Sequence, residues 1–184
     1  RGFLKGDALQ DFINQHLNKR PREKLNKPFA TVATDLNTGE RTVFRTGDTG
    51  MAVRASAAVP GVFQPAQFRG RSYVDGGLTS PVPVQAAREM GADLVIAVDI
   101  SAKPEGQPTD SLTAIIWQTT TIMGGVIGTT ELKGADVVIR PKLPYVKSWD
   151  FAARNDAMLE GERATLAALP AIKQKLNRNP APSA

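Results

Sequence analysis

Residues 73–78 read Tyr-Val-Asp-Gly-Gly-Leu. An aromatic and a β-branched residue run into a carboxylate, and two glycines follow at once. An acid at the end of a strand, entering a turn, sits where α/β sheets place their chemistry. Two readings of Asp75-Gly76-Gly77 are open. In one the triplet is a tight turn, because glycine tolerates positive φ. In the other, Gly76 and Gly77 let a second backbone or a substrate come close to the Asp75 carboxylate. A two-residue hairpin turn leads into a partner strand, whereas Leu78–Pro83 leads into a helix, which favours the second reading. The other reactive side chains are few. The chain has no cysteine and one histidine, His16. A disulfide framework, a thiolate site and a His/Cys metal centre are thereby excluded, and no cofactor or metal is expected. No partner motif surrounds His16, which reads as a partly buried surface residue.

The elements around Asp75 follow from periodicity and punctuation. Leu9, Phe12, Ile13 and Leu17 share one face of a helix over 7–17. Phe29–Leu36 reads as a buried strand, 37–40 as a turn and Arg41–Arg45 as a second strand, together a hairpin. Asp48 or Thr49 caps a short helix ending near Val59. Phe63–Phe68 and Ser72–Asp75 form another hairpin, turning at Gly70. A helix then runs to about Met90 with Gly91 as its C-cap. The apolar run Asp93–Ile100 suits a strand buried on both faces. Strand 72–75, this helix and strand 93–100 predict a parallel βαβ unit and an α/β fold. Ser111 to about Gly124 predicts a Thr-rich helix, Ala135–Arg140 a buried strand, 141–149 an extended loop, and Asp150–Leu169 a helix bent or ended by Pro170 and continued over 171–176. Residues 177–184 are linker-like.

In bulk the 184 residues suffice for one domain with a real core, and 41% hydrophobic with 22% charged residues is an ordinary globular balance. There is no run of eighteen apolar residues and no visible signal peptide. The first residues are Arg-Gly rather than Met, so a longer natural chain is expected. The net charge is +5, and residues 1–27 hold seven Lys/Arg against three Asp/Glu. The basic stretch 19–27 reads as a solvated helix end and loop, or as a surface for anionic headgroups or nucleic acid. No aromatic residue interleaves with it, so nucleic acid is not expected as a partner.

The stretches ATDLNTGE (33–40), AVRASAAVPGVF (52–63), YVDGGLTSPVPVQAAREMGADLVIAVDIS (73–101), RGFLKGDAL (1–9) and, less sharply, GADVVIRP (134–141) resemble the patatin-like phospholipase family, especially its bacterial branch. The order Ala-Ser-x-x-x-Pro-Gly, Asp-Gly-Gly, then a Pro-rich approach to a helix is the specific part. The resemblance implies a three-layer α/β fold with a mainly parallel central sheet and flanking helices. It implies hydrolysis of lipid acyl esters, phospholipid or lysophospholipid, by a Ser-Asp dyad with no histidine between the two. Asp75 matches the base, with Gly76 and Gly77 beside it leaving room for acyl chain and nucleophile.

The family's glycine-rich oxyanion loop and Gly-x-Ser-x-Gly elbow have no counterpart here. None of Ser56, Ser72, Ser80, Ser101, Ser111, Ser148 and Ser183 has the flanking glycines. Ser56 matches a block that does not hold the nucleophile and reads as a helix-packing serine. Residues 1–176 are therefore expected to be the C-terminal portion of a catalytic domain whose N-terminal part, with nucleophile and oxyanion donors, is absent from this chain. Alone, the fragment is expected to be inactive and to leave apolar sheet edges exposed. Two alternatives stay open: a non-catalytic interaction domain that keeps the fold, and an anion-binding module using the basic segment. Ile115-Ile116-Trp117 and Ile122-Met123 line an acyl channel, touch lipid or, more commonly for such spacing, pack in a core. Tyr145–Trp149 is either a loop facing a membrane surface, met transiently, or a buried anchor. The localisation expected from the resemblance is bacterial cytoplasm or a secreted, surface-displayed passenger.

Overall fold

In a computed structural model, residues 4–143 and 153–178 are described. The chain forms two compact units, residues 1–81 and 82–184. Residues 145–149 and the end of the tail, 179–184, lie outside the described residues, as do residues 1–3.

The first unit is built on strand β1 (Thr31–Asp35), every residue of which is buried. It pairs antiparallel with β2 (Arg41–Phe44) on one edge and with β4 (Arg71–Asp75) on the other. β3 (Ala66–Phe68) completes a four-stranded antiparallel sheet of order β2-β1-β4-β3. Both expected hairpins are present. The β1–β2 turn is shaped by Asp35, whose carboxylate accepts the N–H groups of Asn37 and Thr38 and meets Arg71 at 3.1 Å. The β3–β4 turn is two residues, Arg69 and Gly70, both at positive φ, which matches the twist of the flanking strands. Helix α1 (Asp7–His16) lies against α2 (Thr49–Ser56). Asn14 joins them, donating to the Asp48 carboxylate and accepting from Gly50 N–H, while Asp48 caps α2 through Met51 N–H. Ala33, Phe44, Met51, Ala52, Ala55, Ala66 and Tyr73 form the core between α2 and the sheet.

The second unit holds α3 (Val84–Glu89), β5 (Ile96–Val98), α4 (Leu112–Leu132), β6 (Val137–Ile139) and α5 (Arg154–Arg178), with Pro170 inside α5. β5 and β6 pair in parallel, and Val82, Val84, Val95, Ala97 and Leu132 form the core. Asp136 organises it. Its carboxylate accepts Val95 N–H at 2.9 Å and faces Arg88 at 2.5 Å and Lys175 at 3.9 Å.

The α/β class holds, but the parallel unit is not the expected one. β4 has β1 and β3 on its two edges, so no edge is left for the strand after α3. The parallel crossover is β5–α4–β6, one element later in the chain. β5 also differs from the expected doubly buried strand: Ala97 is buried, while Ile96, Val98 and Ile100 are exposed. Alternation replaces continuous burial because the described two-stranded sheet is covered on one face. α4 extends eight residues beyond the expected end at Gly124, carried through Gly124-Gly125.

Candidate active site

Asp75 ends β4 and caps the short 3-10 turn Gly76–Leu78. Its Oδ1 accepts the Gly77 N–H at 2.7 Å. Among the described residues that amide is the one donor to the carboxylate, and no cation faces it. Burial pushes its pKa above the ordinary aspartate value, with the Gly77 amide a smaller opposing influence. A half-buried acid with one neutral donor and no cation resists ionisation, which raises its affinity for a proton.

The two glycines have separate jobs, and neither is at positive φ. A Cβ on Gly76 would lie 2.2 Å from the Val32 carbonyl oxygen, so β1's backbone occupies that space. A Cβ on Gly77 would lie 3.0 Å from Asp75 Oδ1. At Gly76 the close neighbour is protein backbone, and at Gly77 it is the Asp75 carboxylate itself.

The backbone of Asp75 is gripped from two sequence-distant stretches. Its N–H donates to the Ala58 carbonyl at 3.0 Å, just after α2. Thr34 Oγ1 on β1 donates to its carbonyl at 2.9 Å. Thr79 Oγ1 stands 2.9 Å from Thr34 Oγ1, and since Thr34 spends its proton on Asp75, Thr79 is the donor there. Sequence reasoning did not single out Thr34, Ala58 or Thr79. Each lies in one of the stretches that carry the family resemblance, so a signal existed, but not one that assigned a role.

The remaining sequence candidates lie elsewhere. His16 is exposed, its ring 4.0 Å from Phe12 and its Nδ1 2.8 Å from the Phe12 carbonyl. Ser56 is half-buried at the end of α2. No serine hydroxyl among the described residues donates to Asp75. The basic stretch 19–27 is partly structural. Arg22 is only 2% exposed and donates to the carbonyls of Asp48 and Thr46 beneath the Phe44 ring, and Glu23 accepts Gly47 N–H. No cluster of three or more metal-ligating side chains occurs among the described residues, and no described helix is long and apolar enough to cross a membrane.

Comparison with known proteins converges on the same stretch. The Patatin-like phospholipase family profile matches residues 1–88, a range that includes Asp75 and all of its backbone partners. An uncharacterized NTE family protein of Mycobacterium tuberculosis is 34% identical over 110 residues, which is 60% of this chain and 31% of that protein. Patatin-like phospholipase domain-containing protein 7 of Mus musculus is 30% identical over 110 residues, 59% of this chain and 8% of the relative. Patatin-like phospholipase domain-containing protein 6 of Homo sapiens is 31% identical over 102 residues, 54% and 7% respectively. The match thus spans about a third or less of each relative. The family match lies in residues 1–88, and the chain is similar to NTE family and patatin-like phospholipase domain-containing proteins.

Proposed function

We propose that this chain carries the general base of a serine-type lipid acyl hydrolase, with Asp75 as that base. The serine nucleophile and the oxyanion donors are supplied by polypeptide outside residues 1–184. The observation that carries the reading is the Asp75 carboxylate itself: gripped through its backbone, half-buried, free of cations and raised in pKa. The match to the Patatin-like phospholipase family supports a lipid ester as substrate, and our reading of the type is phospholipase A or lysophospholipase.

In the first step the serine hydroxyl gives its proton to Asp75 as its oxygen bonds to the ester carbonyl carbon. The tetrahedral oxyanion rests on donors from the absent segment. The ester C–O bond then breaks, and the alcohol, a lysophospholipid or glycerophosphoryl headgroup, leaves with the proton from Asp75. Water, deprotonated by Asp75, attacks the acyl-serine and releases the fatty acid. The balance is one ester and one water to one acid and one alcohol. Holding the base in place contributes about 10²–10⁴-fold.

The second unit supplies a place for more sheet. β5 pairs with β6 alone among the described strands, and Ile96, Val98 and Ile100 face outward. An upstream parallel strand on that free edge would extend the pair into the central sheet of a three-layer fold, in which a helical layer would cover this face. The test is fluorophosphonate labelling of a polypeptide containing these residues together with their upstream coding sequence, with the labelled species weighed intact. A label on a serine upstream, with phosphatidylcholine or lysophosphatidylcholine turnover lost in Asp75→Asn, is the expected result. A label within residues 1–184, or turnover unchanged in Asp75→Asn, overturns it.

A further inference from the structure

The spacing of Ile115, Ile116, Ile122 and Met123 is the spacing of core residues, yet they are exposed. At 100° per residue, Leu112, Ile115, Ile116, Ile122, Met123 and Val126 fall within one third of α4's circumference. Their exposure runs from 49% at Ile115 to 74% at Leu112. The opposite face is the covered one, with Gly128 and Leu132 buried in the second unit. Three further observations describe this helix. From Ser111 to Thr130 it contains no charged residue. Five of its threonines turn their hydroxyls back onto carbonyls of the preceding turn: Thr119 to Ile115, Thr120 and Thr121 to Trp117, Thr129 to Gly125, and Thr130 to Val126, all at 2.8–3.2 Å. Trp117, 48% exposed, falls on the opposite side of the helix from this strip.

A threonine bonded to its own backbone asks nothing of water and presents its methyl group. The exposed side of α4 is thus apolar in its side chains and saturated in its hydroxyls, the surface suited to a medium without water. We propose that this face of α4 is a lipid-docking surface, lying in the plane of a bilayer with its apolar side chains among the acyl chains. A second copy of the chain is the weaker occupant. The strip from Leu112 to Val126 is about 22 Å long and about 10 Å wide. That is a few hundred Å², against roughly 800 Å² buried by each partner of a standard protein interface. A helix-to-helix seam also needs charged or polar residues to set its register. Here the seam has no charge, and Thr119 has already spent its hydroxyl on Ile115. A fluid bilayer needs neither area matching nor register. The covered face keeps α4 at the surface rather than across it, consistent with the lack of a membrane-crossing helix among the described residues. The proposal deepens the lipid-hydrolase reading by naming the surface that meets the lipid, and it rests on that reading for its setting. The binding itself is measurable without turnover.

The test is flotation of the 184-residue chain with phosphatidylcholine vesicles. The expected result is flotation, with at least tenfold weaker binding in the double variant Ile116→Glu/Met123→Glu. Circular dichroism checks that this variant, altered only at exposed positions, stays folded. Asp75→Asn should bind vesicles as the parent does, so loss of the hydrolase reading and loss of this one are separable. Absent flotation, flotation indifferent to the double variant, or a dimer that the double variant dissolves without any vesicle binding would each overturn the proposal.

Discussion

The Val32 carbonyl oxygen lies 2.2 Å from where a Cβ on Gly76 would stand. Strand β1 therefore passes directly against the residue that follows the candidate base, and that residue has to be glycine. Gly76→Ala should cost about 2–3 kcal/mol, because backbone on both sides has no rotamer with which to yield. Urea unfolding of the variant checks this, and a cost below about 0.5 kcal/mol would contradict the close approach.

Gly77→Ala should behave differently. Its Cβ would meet the Asp75 carboxylate, a side chain able to turn, at 3.0 Å. The stability loss should be smaller than for Gly76→Ala, while turnover of the complete enzyme should fall at least tenfold as the base is displaced. A variant with full turnover would remove Gly77 from the positioning of Asp75.

Asp75→Asn keeps an oxygen for the Gly77 amide and removes the base. In a polypeptide that includes the nucleophile, turnover should fall by about 10²–10⁴-fold with secondary structure unchanged. Steady-state kinetics beside circular dichroism make the comparison.

Burial raises the Asp75 pKa, which fixes two pH dependences. The base must be ionised to work, so kcat/KM should climb with pH through a value above that of an ordinary aspartate. For stability the sign is opposite. A raised folded-state pKa means that the folded protein binds the proton more tightly than the unfolded one. The contribution is then greatest below the unfolded value of about 3.9 and is lost as pH rises through the folded one. Asp75→Asn should accordingly be as stable as the parent, or more so, at neutral pH. Denaturant melts at pH 4 and pH 7 test this, and a large loss at pH 7 would argue against a strained ionised form.

Asp35 and Asp136 run the other way. The Asn37 N–H leads in holding the Asp35 carboxyl below its usual range, and the Val95 N–H leads for Asp136. Their contributions are present above the unfolded value of about 3.9 and are lost as pH falls through the folded values. Acid should therefore loosen the β1–β2 turn and the β5–β6 strands below about pH 4. Amide exchange at Asn37, Thr38 and Val95 should rise in that window. Protection maintained there down to pH 2 would contradict these roles.

Much of the local structure was legible in the residues. Asn37–Glu40 and Arg69-Gly70 carry their turns in their own chemistry. Asp48 signals its helix, and the apolar stretch 29–36 with the alternation of 41–45 signals a hairpin. The pairing of β4 was not legible. The helix after Asp75 invites a parallel crossover to the next strand, and nothing local in 71–75 announces that β1 and β3 already fill both edges. The exposure of α4 was illegible for a related reason. Periodicity places Ile115, Ile116, Ile122 and Met123 on one face but does not say whether anything covers it.

By itself the sequence determined the acid, its glycines, the absence of a nucleophile elbow from these residues and the family resemblance, because those are matters of residue type and order. The tertiary structure alone decided what holds Asp75 and what crowds Gly76. The Ala58 carbonyl, the Thr34 hydroxyl and the Val32 carbonyl come from stretches 17 to 43 positions away. They reach the site because β1 pairs with β4 and the turn after α2 returns its carbonyl to the end of that strand. Backbone hydrogen bonding of that kind is blind to side-chain identity, so only the folded chain reveals it.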